Sequence, residues 1–206
     1  DKQTSGRRDL ADMIVNPENP LTARVFVNWV WTHHFGQGLI PTPGDLGLRG
    51  EPPSHPELLD DLARRFIDEG KWSVRWLHRE IVFSQAWRQS SIAQPEVLVR
   101  DPENTHYSRS RRRRLSWESW RDSLLVAAGT LQLSPRGGPG IDPLDPSNSA
   151  RRTLYSWVDR QDVPGILRAF DIANPDTAVH VRPATLVPQQ GLVILNSPLV
   201  IDAAKK

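Results

Sequence analysis

Five side chains that could do chemistry flank one stretch of this sequence: His33, His34, Asp45, Glu51 and His55. Imidazoles and carboxylates around a single loop are the material of a divalent metal site or of an acid–base pair. Adjacent histidines on a helix point about 100° apart, so His33 and His34 cannot both face one ion as an i, i+4 pair would. At most one of them joins His55, and neither a metal nor another cofactor is expected. Two uses remain open. One is a hydrolase site with His34 or His55 as base and Asp45 or Glu51 as the orienting carboxylate. In the other, His34 packs beneath the loop, His33 is solvated and His55 caps the following helix beside Pro56.

Three further sets invite a binding role. Arg24 and Asn28 stand at i, i+4, and the same stripe continues to Trp31 and Phe35. A guanidinium and an amide above two aromatics could receive a sugar or a carboxylate; alternatively, Arg24 ties down loop carbonyls. Near the C-terminal end, Arg182, Thr185, Gln189, Gln190 and Asn196 form a polar set among apolar residues. They knit the last helices together or line a cleft with the first helix. The run RSRRRR, residues 109–114, carries the charge density that binds phosphate backbones, yet no nucleic-acid reading motif accompanies it. Asp101, Glu103, Glu118 and Asp122 lie close enough in sequence to pair with it, so structural arginines are expected and nucleic acid is not. There is no Ser-His-Asp order, nucleophile elbow, P-loop, HExxH or dinucleotide fingerprint.

The elements that position these residues are mainly helical. Asn19-Pro20 is a cap followed by proline at the first helical position, and Phe26, Val27, Val30, Trp31 and His34 recur at helical spacing up to Gly36. A short helix over 9–15 precedes it. Residues 36–54, rich in glycine and proline, predict a long ordered loop. Pro56 opens a helix with stripe Leu58, Leu59, Leu62, Phe66 and Ile67, capped by Ser54 or His55. Ser73 caps another with Val74, Leu77, Ile81 and Val82, and together they read as an αα-hairpin. Residues 90–106 lack periodicity and read as a connector between halves of about 1–92 and 107–206. A helix from near Ser116 puts Trp117, Trp120, Leu124 and Ala128 on one face. Residues 151–158 alternate as a strand does, and two or three short helices close the chain, with Pro188 and Pro198 at helix starts. The expectation is one compact, mainly α domain over 1–206, with at most one short strand or hairpin and long ordered Pro/Gly loops.

Composition sets the outer limits. The chain has 206 residues, 38% hydrophobic, with 18 prolines, no cysteine and a formal charge of +2. A chain of this size can bury roughly 70% of its unfolded surface without disulfides or metals. No long apolar run predicts a membrane span, and the opening residues DKQTSGRRDL lack the apolar region of a signal peptide. The absence of cysteine removes disulfides, thiolate metal sites, cysteine nucleophiles and attached c-type haem. Among the basic residues 22 are arginine and 4 lysine, beside 8 tryptophans and 2 tyrosines. This skew suits anion or sugar recognition, but it also follows from a GC-rich genome.

Several segments in order, LADMIVNPENPLTARVFVNWVWTHHFGQGLIPTPGDLGLRGEPPSHPELLDDLARRFI, WSVRWLHREIVFSQAWRQSS, DPEN, RRRRLSWESWRDSLLVAAGTL, GGPG, RRTLYSWV, AFDIANPD and TLVPQQGLVILNSPLV, resemble the planctomycete DUF1553 domain, also called PSD1. The resemblance covers nearly the whole chain. It implies a C-terminal part of a large extracytoplasmic protein, secreted, periplasmic or at the cell surface, beside DUF1549 and cytochrome-c-like domains, with no catalytic activity established. Where the family usually has Arg, this chain has Trp29; where it has Tyr, Trp87; and it lacks the Cys often found shortly before the residue matched by Arg182. The functional expectation is a docking or carbohydrate-engaging module, whose partners are neighbouring domains and carbohydrate. The alternative is the hydrolase around residues 33–55.

Overall fold

The computed structural model describes residues 6–47, 49–134, 137–145 and 150–206. The chain divides into two compact units, one ending at Arg113 and the other beginning at Arg114. Among the described residues both are helical and neither contains a sheet.

The first unit holds α1 (Arg7–Val15), α2 (Pro20–Phe35), α3 (Pro56–Asp68), α4 (Val74–Phe83) and α5 (Pro95–Arg100). The Asn19 side chain accepts the amide of Leu21, Pro20 occupies the first position, and Gly36 ends α2 at φ 81°. A left-handed stop of this kind is where glycine is favoured. Ala23, Val27, Val30, Trp31 and Phe35 then form the buried face, on which α3 and α4 pack through Leu59, Leu62, Phe66, Leu77 and Ile81. Leu58 and Val74, expected in those stripes, are exposed instead. The turn joining α3 to α4 takes two consecutive non-glycine residues, Lys71 and Trp72, through positive φ. Trp72 is held there by its amide bond to the Phe66 carbonyl. At Gly70 a Cβ would meet the Trp76 ring at 2.7 Å and the Phe66 carbonyl at 2.9 Å, so a side chain has no room there.

The loop after α2 is ordered, as its flanking helices suggested; Leu48 lies outside the described residues. Leu39 and Ile40 enter the core. Ser54 closes the loop by donating its amide to the Leu39 carbonyl. Residues 90–106 are not a bare connector. They contain α5, and the adjoining Tyr107 is part of the first unit's core, its hydroxyl donating to the Gly38 carbonyl at 3.2 Å. Asp101 and Asn104 organise the intervening turn. The Asp101 carboxylate accepts the Thr105 and His106 amides, and Asn104 bonds both polar groups of the Arg109 backbone.

The second unit holds α6 (Trp117–Ala127), α7 (Gly165–Ala169), α8 (Pro188–Asn196) and α9 (Pro198–Ala204). Ser116 caps α6, and Trp117 packs with Val163, Leu167 and Phe170. The buried face of α6 runs Trp117, Arg121, Leu125, with Trp120, Leu124 and Ala128 half-buried beside it. The strand expected over 151–158 is a short 3-10 turn, Thr153–Tyr155, flanked by two isolated bridges. Asp122 is the physical reason. Its carboxylate takes the Thr153 amide at 2.7 Å and hydroxyl at 2.6 Å, removing the donor a ladder would need.

Candidate functional site

The histidines are distributed, not convergent. His34 Nε2 lies 2.7 Å from His78 Nδ1 of α4, with the Trp87 ring edge-on at 5.0 Å. Burial, then the neighbouring His78, Arg113 and His33, hold the His34 pKa below its ordinary value. His33 is exposed. His55 belongs to another neighbourhood: its Nδ1 is 3.0 Å from Ser54 Oγ and its ring lies against Tyr107 and His106. It occupies the N-cap position of α3, but its side chain makes no capping bond. Asp45 accepts the Gly47 amide within a turn, and Glu51 reaches the Thr42 hydroxyl through its backbone amide. Neither carboxylate bonds to His34 or His55. Among the described residues no three His, Cys, Asp or Glu side chains gather to hold a metal.

Asn28 is completely buried, with its amide on both polar groups of Ile40: Oδ1 accepts Ile40 N–H at 2.9 Å and Nδ2 donates to Ile40 C=O at 3.2 Å. Asn28, and not Arg24, ties the loop to α2. Arg24 instead pairs with Asp60 of α3, its Nε donating at 2.6 Å. Trp31 and Phe35 stack at 4.2 Å inside the core, so this pair offers a sugar no platform.

Four of the five arginines in the basic run make structural bonds, three of them to carbonyls and an amide and not to carboxylates, while Arg112 is exposed. Arg109 donates to the Asp101 and Pro102 carbonyls, Arg111 to the Glu103 carbonyl and the Gln37 side chain, and Arg113 to the His33 and His34 carbonyls that end α2. Arg114 meets a carboxylate, Asp171, at 2.6 Å. Asp171 also takes the Thr185 amide and hydroxyl from a backbone at φ 58°. In the same unit Arg182 bonds Glu118 and the Asp171 carbonyl, while Gln190 donates to the carbonyls of Ala169 and Thr185. These residues knit the second unit internally. Asn196 stands apart, turned back on the Leu192 carbonyl.

The sequence reasoning passed over Arg121. It is completely buried, and its Nε donates to the Pro143 carbonyl while Nη1 donates to the Arg151 carbonyl and the Thr153 hydroxyl, each at 3.0 Å. Burial opposes its charge, and Asp122 and Asp142 restore part of the balance. One guanidinium thus ties the backbone at Pro143 to that at Arg151 and Thr153.

Two surface cavities stand out, and neither involves the 36–54 loop. In the second unit, about 440 Å³ lies between α6 and Leu131, Leu133 and Arg152. Its polar groups are already engaged, Asp122 by Thr153 and Arg152, and Ser123 by the Ser119 carbonyl. In the first unit, about 510 Å³ is enclosed by Leu21, Thr22, Val25, Phe26 and Trp29 of α2, by Phe66 of α3, and by Trp72 and Val74. Trp29 is 44% exposed and Trp72 36%. Thr22 is the one hydroxyl residue in the lining, and its hydroxyl already bonds the Ile14 carbonyl. That bond fixes α1 to the groove's edge, where Leu10, Met13, Ile14 and Val15 are all exposed. Sequence carried one signal for this groove: Trp29 lies off the buried stripe of α2, where a polar residue was due.

No helix of the described structure is long and apolar enough to cross a membrane. A search of curated proteins and a search of solved structures each return no match. A family model described as protein of unknown function (DUF1553) matches residues 6–206, and the chain therefore belongs to the PSD1 family.

Proposed function

We propose that this chain is a non-catalytic docking module that lays the apolar face around Trp29 and Trp72 against another protein surface. The observation that carries the reading is α1, a nine-residue helix with no buried residue. Isolated helices shorter than about 12–15 residues are marginal in water, so such a helix with an open apolar stripe needs a surface to lie on. The groove beside it extends the same apolar area, and contiguous exposed apolar patches mark interaction sites.

The family resemblance supports neighbouring domains of a larger extracytoplasmic planctomycete protein as the setting. Carbohydrate engagement has less support: sugars are held by several directional hydrogen bonds, and beside two indole N–H groups the groove offers one hydroxyl that is already used. The hydrolase reading has less again, since His34 and His55 have different partners and no carboxylate orients either.

Hydrogen exchange on the 206-residue chain, with and without a candidate neighbouring domain, tests the reading. Amides of α1 should exchange near the unfolded rate in the monomer and become protected on binding, with Trp29 and Trp72 shielded from hydroxyl-radical labelling. Protection of α1 in the monomeric chain alone, with both indoles unreactive, overturns it.

A further inference from the structure

The same face carries a more specific inference, which rests on the docking reading: the surface that fits it is present on the chain itself. The groove is apolar, its polar groups limited to the Thr22 hydroxyl, already bonded, and the indole N–H groups of Trp29 and Trp72 at its margin. A complementary occupant is therefore a short helix with an apolar stripe, the helix-in-groove mode in which residues at i, i+3 and i+4 act as anchors. α1 has this pattern in Leu10, Met13 and Ile14, all exposed, and it stands at the groove's edge without entering it.

The charges match as well. On the helical wheel Asp9 borders the stripe beside Met13, and Arg7 borders it beside Ile14. At the groove, Lys71 and Arg75 flank Trp72 and Val74, and Asp68 closes the end of α3. All five are exposed, and none appears in an ion pair among the described residues. Asp9 set against Lys71 or Arg75, and Arg7 against Asp68, gives opposite signs on both flanks. Where the helix and its groove lie on one face, two copies that exchange them reciprocally are related by a two-fold axis.

We infer that a second copy of this chain fills the groove, each copy inserting the Leu10, Met13 and Ile14 stripe of α1 between Trp29 and Trp72 of the other.

The test is sedimentation velocity and light scattering on the 206-residue chain across micromolar concentrations. The expected species is a dimer of 23.3 kDa chains. Leu10→Asp with Ile14→Asp, which spoils the helix, and Trp29→Asp, which spoils the groove, should each weaken dimerisation by at least about thirtyfold. All three positions are exposed, so circular dichroism should show both variants folded. Mixing the two variants should restore a one-to-one complex, because one intact helix then meets one intact groove. A chain that stays monomeric, a dimer indifferent to either variant, or a mixture with no complex overturns the inference. A monomer whose α1 amides still exchange freely removes the second copy but leaves the docking reading standing. A monomer with α1 protected removes both.

Discussion

Replacing Asn28 with Ala separates a structural role for this residue from a ligand-binding one. In the folded chain its amide bonds the N–H and the C=O of Ile40, at 2.9 and 3.2 Å, and both residues are buried. Truncation strands both backbone groups. A buried polar group without a partner costs about 1–3 kcal/mol, giving a loss of about 2–6 kcal/mol. Water entering the vacated space brings this towards about 3 kcal/mol. That is a large fraction of the about 5–15 kcal/mol by which domains are stable. Urea denaturation should show the midpoint falling at constant slope, and the Ile40 amide should lose its protection from hydrogen exchange. Asn28→Asp keeps the acceptor but loses the donor and buries a charge, so it should be at least as damaging. A loss below about 0.5 kcal/mol, the range of neutral surface changes, with Ile40 still protected, would refute the clamp and return Asn28 to the list of free binding groups.

Three other outcomes follow from the bonds described. Arg113→Gln should lower the melting temperature, by about 0.5–1.5 kcal/mol of stability, because it removes the bonds to the His33 and His34 carbonyls at a site water can reach; an unchanged melting temperature with loss of DNA retention in a gel shift would restore the nucleic-acid reading. For His34, whose folded pKa lies below 6.5, the unfolded chain binds more protons between the two values, so stability rises with pH there. Its contribution is complete above 6.5 and is lost as pH falls from there through the lower folded pKa. Denaturation of His34→Gln should be flatter than the parent between about pH 7.5 and about pH 5, and parallel curves would remove His34 as the titrating group. At Asp171, held at φ 58° with three groups donating to its carboxylate, stability should rank Asp above Asn above Ala, since Asn tolerates left-handed backbone and keeps one acceptor. Thermal melts in which Ala equals Asp would show the hub to be idle.

Local rules read most of the helices well. Asn19, Ser73 and Ser116 cap as their positions suggested, and proline at a first turn marks α2, α3, α8 and α9. α5 was missed because six residues are too few for a period. The alternation of 151–158 misled because Asp122, some 30 residues earlier, captures the Thr153 amide, a long-range bond no local pattern contains. The site was less legible for the same reason. His34 and His55 are close in sequence, yet the side chains that define their surroundings come from α4 and from residues 106–107. Arg121 carried no sequence signal of its own, and only the carbonyls of distant loops explain its burial.

Those carbonyls bear on the composition. Each of the 18 prolines supplies an acceptor and no N–H, so the loops carry a surplus of oxygen over donors. A guanidinium brings five N–H groups in a fixed plane, and Arg109, Arg113, Arg121 and Arg151 each place them on loop or helix-end carbonyls. At these four positions arginine supplies donors that proline withholds. Lysine keeps the charge but offers three donors from a single nitrogen, so wholesale Arg→Lys replacement would preserve the net charge of the chain and leave its irregular backbone short of partners.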